Sequence, residues 1–169
     1  MSGASPLNVR RCQAEDVATV AALLDEATVW VGERGYEQWP LPFPRGELEG
    51  AIERGEVYVA EVEGDVVATV TLLWDDPMYW GERSADAAYV HKLAVRRASA
   101  GQHIGHAIVE WADATAAAED RDYLRLDCLR DNPGIRAYYE RLGFEHRGDL
   151  VVNGRDMSIY ERRVHTPRD

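Results

Sequence analysis

Three groups of residues in this sequence have types and spacings that could do chemistry. The first is the stretch Asn132-Pro133-Gly134-Ile135-Arg136-Ala137-Tyr138-Tyr139-Glu140-Arg141-Leu142-Gly143-Phe144. Asn132 suits a helix N-cap and Pro133 the first helical position. Gly143 suits the left-handed residue that ends a helix, with Phe144 turning into the next strand. These signals explain both helix ends but not a phenol two turns from the cap. The second group is the loop Arg96-Arg97-Ala98-Ser99-Ala100-Gly101-Gln102-His103-Ile104-Gly105, which delivers the chain into a helix. The first amides of a helix lack intrahelical partners and sit at its positive end, and glycines let a pyrophosphate approach them. Two glycines four apart fit an ordinary strand–helix turn equally well. The third is His91, since imidazoles in general change charge near neutral pH and can relay protons. A satisfied structural histidine is the competing reading.

The elements that must position these groups follow from apolar periodicity. Residues 7–12 alternate as a strand, and Val17, Val20, Ala21, Leu24, Ala27 and Val31 follow helical spacing. Gly32, Gly35, Pro40, Pro42 and Pro44 interrupt regular structure before a short helix from Arg45 to Arg54. Val57–Val62 and Val66–Trp74 are strands joined at a Gly64-Asp65 turn signal. A polar connection, Asp75 to Asp86, leads to a strand from Ala87 to Val95. Ile104, Ile108, Trp111 and Ala112 form one helical stripe, which weakens at Thr115. A strand from Tyr123 to Leu129, the helix from Pro133, and two strands around the type I′ dipeptide Asn153-Gly154 complete the pattern. The result is a mixed α/β sheet with an antiparallel N-terminal part.

With these residues in view, the chain resembles the GNAT superfamily of N-acetyltransferases, most strongly over Val90–Phe144. Leu93-Ala94-Val95 matches the family's Leu-x-Val strand end, and Gly101 and Gly105 match the first and last loop glycines. Ala100 stands where Arg is frequent, and His103 where Gly is usual. The Asn132–Phe144 stretch departs from the family form only at Ile135, in the place of an Ala. The resemblance implies a mostly antiparallel central sheet of about six or seven strands, with helices on both faces, splayed at an acetyl-CoA groove. It implies that Leu93, Ala94 and Val95 pair with the pantetheine arm. Gly101, Gln102, His103, Ile104, Gly105 and His106 would surround the pyrophosphate, and Asn132 and Tyr139 would complete the cofactor site. Solvent exposure is the competing reading for His103 and His106.

Tyr139 becomes the general acid that protonates the coenzyme A thiolate, because family spacing to Gly143 selects it over Tyr138. A phenol's ordinary pKa lies near that of a thiol. His91 stands where arylalkylamine N-acetyltransferases carry a histidine, which makes it the candidate base. Asp127, Glu33, Glu37 and bound waters are alternatives. Trp30, Glu33, Tyr36 and Trp39 are the candidate acceptor residues, as an aromatic wall with charge to balance an amine, although Trp30 equally suits the core. The activity implied is direct acetyl transfer from acetyl-CoA to a primary amine on a small molecule or peptide. A non-catalytic acyl-CoA-binding module is the alternative.

Composition excludes other classes. At 169 residues and 46% hydrophobic, the chain is expected to form one domain over residues 1–169, with loose termini at 1–6 and 165–169. A net charge of −11 disfavours nucleic acid. There is no membrane-length apolar run and no signal-peptide pattern at the N-terminus, so a soluble cytoplasmic protein is expected. Cys12 and Cys128 are expected as buried thiols, and no zinc spacing is present, so no metal is expected. No Gly-Lys-Ser/Thr follows the loop glycines, which excludes a nucleotide-binding P-loop. A homodimer is open, because folds of this kind often dimerise.

Overall fold

The computed structural model describes residues 5–165; residues 1–4 and 166–169, most of the termini expected to be loose, lie outside them. The elements are β1 (Leu7–Arg11), α1 (Val17–Gly32), α2 (Arg45–Glu53), β2 (Val57–Val62), β3 (Asp65–Leu73), α3 (Pro77–Trp80), β4 (Ala87–Val95), α4 (Ile104–Ala118), β5 (Tyr123–Leu129), α5 (Pro133–Arg141), β6 (Glu145–Val152) and β7 (Arg155–Arg163). The seven strands take the order β1-β2-β3-β4-β5-β7-β6. Pairing is antiparallel at β1–β2, β2–β3, β5–β7 and β6–β7, and parallel at β4–β5. This is the mixed, mostly antiparallel sheet expected. The chain divides into two units: residues up to Thr71 with Lys92–Val109, and Leu72–His91 with residues from Glu110 onward.

The first unit has an apolar core. Val20, Ala21 and Leu24 of α1 cluster with Phe43, Leu48, Val57, Val59 and Ala94. Burying each such aliphatic or aromatic side chain contributes about 1.5–3 kcal/mol. The Asp25 carboxylate accepts the Phe43 amide at 2.9 Å, tying the proline-rich segment to α1. The β2–β3 turn is one residue earlier than its sequence signal. Val62 pairs with Asp65, so the turn residues are Glu63 and Gly64, at φ 53° and 85°. Two central residues at positive φ define a type I′ turn, whose twist matches the flanking strands.

The second unit buries charge as well as apolar surface. Arg125 donates to Glu161 at 2.7 Å, to Asp86 at 2.9 Å and to the Tyr89 hydroxyl at 3.0 Å. Arg162 donates to Asp113 at 2.8 Å and to the Leu142 carbonyl at 2.8 Å. Removing one partner of such a buried pair typically costs about 3–5 kcal/mol. The α4 stripe continues through buried Ala116, past the predicted weak point at Thr115. Asn153 and Gly154, at φ 50° and 76°, form the expected type I′ turn between β6 and β7. The polar connection between β3 and β4 contains α3, started by Pro77 at its first position. Both cysteines are free, buried thiols, as expected.

Candidate active site

Tyr139 is fixed by the two ends of its own helix. At the start of α5 the Asn132 side chain accepts the Ile135 amide at 3.2 Å, and Pro133 takes the first turn. At the end, Gly143 at φ 89° donates to the Glu140 carbonyl at 3.0 Å, and Phe144 donates to the Tyr139 carbonyl at 3.1 Å. That is a Schellman closure, in which the residue after the glycine packs back on the helix. Here the packing partner is Tyr139 itself. Its ring meets Phe144 edge-on at 5.8 Å and Tyr138 at 5.3 Å. The helix is also anchored to β7, where Arg136 donates to the Tyr160 hydroxyl at 2.9 Å and that hydroxyl donates to Glu140 at 3.0 Å.

The tyrosine selected by family spacing is the more deeply buried of the pair. Tyr139 is 8% exposed, and Tyr138 is half-buried. Burial pushes the Tyr139 phenol well above its usual pKa, with Tyr138, Cys128 and Asp127 adding to the effect. The phenol keeps its proton, and the same burial makes it a weaker acid than a free phenol. Burial raises a neighbouring thiol in the same direction: Cys128 is pushed up to about 12, chiefly by desolvation.

His91 stands at a fork in the sheet. β4 and β5 pair from Ala87↔Tyr123 to Val90↔Leu126, and their pairing ends there although both strands continue. The next position on each strand is His91 and Asp127. His91 Nε2 lies 2.8 Å from Asp76 Oδ2, and Nδ1 lies 3.3 Å from Asp127 Oδ1. Tyr79 covers the imidazole with ring centroids 5.8 Å apart. The Tyr79 phenol is pushed up to about 12 by burial, reinforced by Asp127 and Asp76. The sequence reading missed Asp76, which sat in the supposed polar connection. A detectable signal was the dipeptide Asp76-Pro77, a helix start in its own right. Lys92, next to His91, has φ 49°, so β4 carries a left-handed residue that interrupts the two-residue period of a strand.

In the first unit, Leu93 and Val95 are half-buried, and Ala94 lies in the core. The loop after them is held by Arg96, whose amide donates to Val67 at 2.7 Å, and by Arg97, whose amide donates to Glu26 at 2.6 Å. Gly101 has φ 81° and His103 φ 58°. His103 therefore adopts the left-handed conformation that a glycine would take at its position, at a cost of about 1–2 kcal/mol. Its carbonyl accepts the Ala107 amide at 3.1 Å, which starts α4. Gly101, Gln102, His103 and His106 are exposed, and Ile104 and Gly105 are buried.

The aromatic segment of the first unit is not a uniform wall. Both sides of Trp30 are engaged by arginines, with Arg34 at 3.6 Å and Arg97 at 3.9 Å from its ring centroid. Trp39 packs against the apolar core, Tyr36 is half-buried, and Glu33 is exposed at the end of α1.

A GNAT acetyltransferase domain model matches residues 53–146. The chain is 31% identical over 158 residues to the uncharacterized N-acetyltransferase YesJ of Bacillus subtilis, covering 89% of this chain and 86% of that protein. Among solved structures, a GNAT family acetyltransferase from Listeria monocytogenes superposes with TM-score 0.78 at 26% identity, covering 93% of this chain and 94% of that one. N-acetylglutamate synthase from Neisseria gonorrhoeae, solved with coenzyme A and N-acetyl-glutamate, superposes with TM-score 0.72 at 19% identity, over 97% of this chain and 36% of its own. The second of these shows the fold alone.

Proposed function

The chain belongs to the GNAT acetyltransferase family, and from that premise we propose that it transfers the acetyl group of acetyl-CoA directly to a primary amine. The observation that supports this reading is that the second unit encloses the Tyr139 phenol and sets the His91 imidazole against the carboxylates of Asp76 and Asp127. Asp127 faces the His91 ring and adds to the shift on the Tyr139 phenol.

The roles follow from the chemistry. Amides of the Gly101–Gly105 loop and the start of α4 bind the pyrophosphate. Backbone amides around Leu93 hydrogen-bond the pantetheine arm and polarise the thioester carbonyl. His91 removes a proton from the amine as its lone pair attacks, and Tyr139 protonates the leaving thiolate. Glu33, Tyr36 and Trp39 contact the acceptor. Trp30 instead holds Arg34 and Arg97, since guanidinium groups already engage its ring.

Incubation with acetyl-CoA and a panel of primary amines tests the reading, with free thiol and acetylated product measured together. Stoichiometric thiol and acetylamine with at least one amine is the expected result. Tight acetyl-CoA binding by calorimetry, with no acetylated product from any amine, would instead indicate a non-catalytic acyl-CoA-binding module.

A further inference from the structure

We infer that Asp76 and Asp127 position the imidazole of His91, so that the proton leaving the amine lands on Nδ1, on the Asp127 side. This rests on the acetyl-transfer reading above, and it assigns a role to Asp76 that neither the family match nor the relatives supply.

Asp76 first breaks a local rule. It occupies the N-cap position of α3, where an aspartate ordinarily accepts the first amides of its helix. Its side chain makes no such bond. It turns instead to His91 Nε2 at 2.8 Å and is buried there, 8% exposed. A capping bond ordinarily stabilises its helix, so giving it up marks a competing use of the carboxylate.

The two distances then select the tautomer, since the shorter contact, 2.8 Å at Nε2 against 3.3 Å at Nδ1, is the one with hydrogen-bond length and takes the N–H. A neutral imidazole has one N–H and one lone pair. Donating Nε2–H to Asp76 leaves the Nδ1 lone pair facing a carboxylate oxygen at 3.3 Å. Two acceptors that face each other are completed by a proton placed between them. The site is therefore preorganised for the ion that forms during reaction. Its place at the fork, one position past the last β4–β5 pair, sets both side chains where the parallel pairing opens.

The step balances. The amine lone pair forms the C–N bond, the C–S bond breaks with its electrons on sulfur, one N–H proton passes to Nδ1, and Tyr139 gives its proton to sulfur. Return of the Nδ1 proton to the Tyr139 phenolate resets both groups.

These three side chains also bring potential metal ligands within 4.8 Å of one another. The carboxylates, however, face different ring nitrogens, whereas a single ion takes only one nitrogen from a histidine. The arrangement is a clamp of one hydrogen bond, at Nε2, and one close contact, at Nδ1.

The test combines ring nitrogen NMR with turnover on the full chain. Protein labelled with 15N at its five histidines would be compared with Asp76→Asn and Asp127→Asn. Coenzyme A release would be followed with acetyl-CoA and 2-phenylethylamine. In the neutral ring the parent should carry its proton on Nε2, and Asp76→Asn should move it to Nδ1. Asp76→Asn should lower kcat on the order of 100-fold with the acetyl-CoA KM unchanged. Asp127→Asn should keep the proton on Nε2 and lower kcat roughly tenfold. A parent ring protonated on Nδ1, an unchanged kcat in Asp76→Asn, or ring resonances moved by added Zn²⁺ or Mg²⁺ would each overturn the assignment. If the parent shows no turnover with this amine, the tautomer alone decides the positioning, and acetyl transfer is decided separately by the amine panel.

Discussion

The helices α4 and α5 both follow strands that carry candidate site residues, yet their ends are built for opposite purposes. α4 starts from exposed residues, two of them left-handed, and tolerates strain at His103 to do so. α5 closes both ends on itself: a side-chain cap at Asn132, a Schellman turn at Gly143, and an aromatic contact from Phe144 onto the residue it positions. The difference fits the roles proposed for them, a helix that starts from an exposed loop to receive a ligand and a helix that aims a side chain and satisfies its ends internally. Substitutions at the two ends of α5 should therefore lower stability and turnover together. Substitutions at the α4 entrance should act mainly on acetyl-CoA affinity.

The sharpest way to break this contrast is Phe144→Ala. Phe144 is 3% exposed, and its loss should destabilise the protein by about 3–5 kcal/mol, read from urea unfolding. It should also lower kcat by loosening Tyr139. Gly143→Ala comes next. The added Cβ would lie 3.7 Å from Arg162 Cδ, an ordinary contact, so the cost comes from φ 89° alone. About 1–2 kcal/mol is expected in the same unfolding assay, with coenzyme A affinity by calorimetry unchanged. Asn132→Ala should cost about 1 kcal/mol through the lost cap. His103→Gly should do the reverse, gaining about 0.5 kcal/mol by relieving the left-handed residue. Its acetyl-CoA affinity should match or exceed the parent's, and a weaker affinity would instead assign the imidazole a contact with phosphate.

Legibility in the sequence followed the same division. The α5 stretch could be read because capping, proline placement and the closing glycine are local, and they lie within one helix of the phenol they position. The strands and the Asn153-Gly154 turn were legible for the same reason. The surroundings of His91 were not. Asp76 lies 15 residues and Asp127 36 residues away in sequence, and the fork brings them together without any periodic signal. Trp30 was ambiguous because Arg34 is one helical turn away and visible, while Arg97 arrives from a distant loop. The strand Ala87–Val95 was legible, but the left-handed residue Lys92 inside it was not, since it leaves no trace in composition.

The central claim is that the enclosed phenol of α5 delivers the proton that releases coenzyme A. Tyr139→Phe removes that proton and keeps the ring packed between Tyr138 and Phe144. Coenzyme A release at saturating acetyl-CoA and amine should fall by about 10²–10⁴-fold, with urea midpoint and coenzyme A affinity held near the parent's. A rate equal to the parent's would contradict the account.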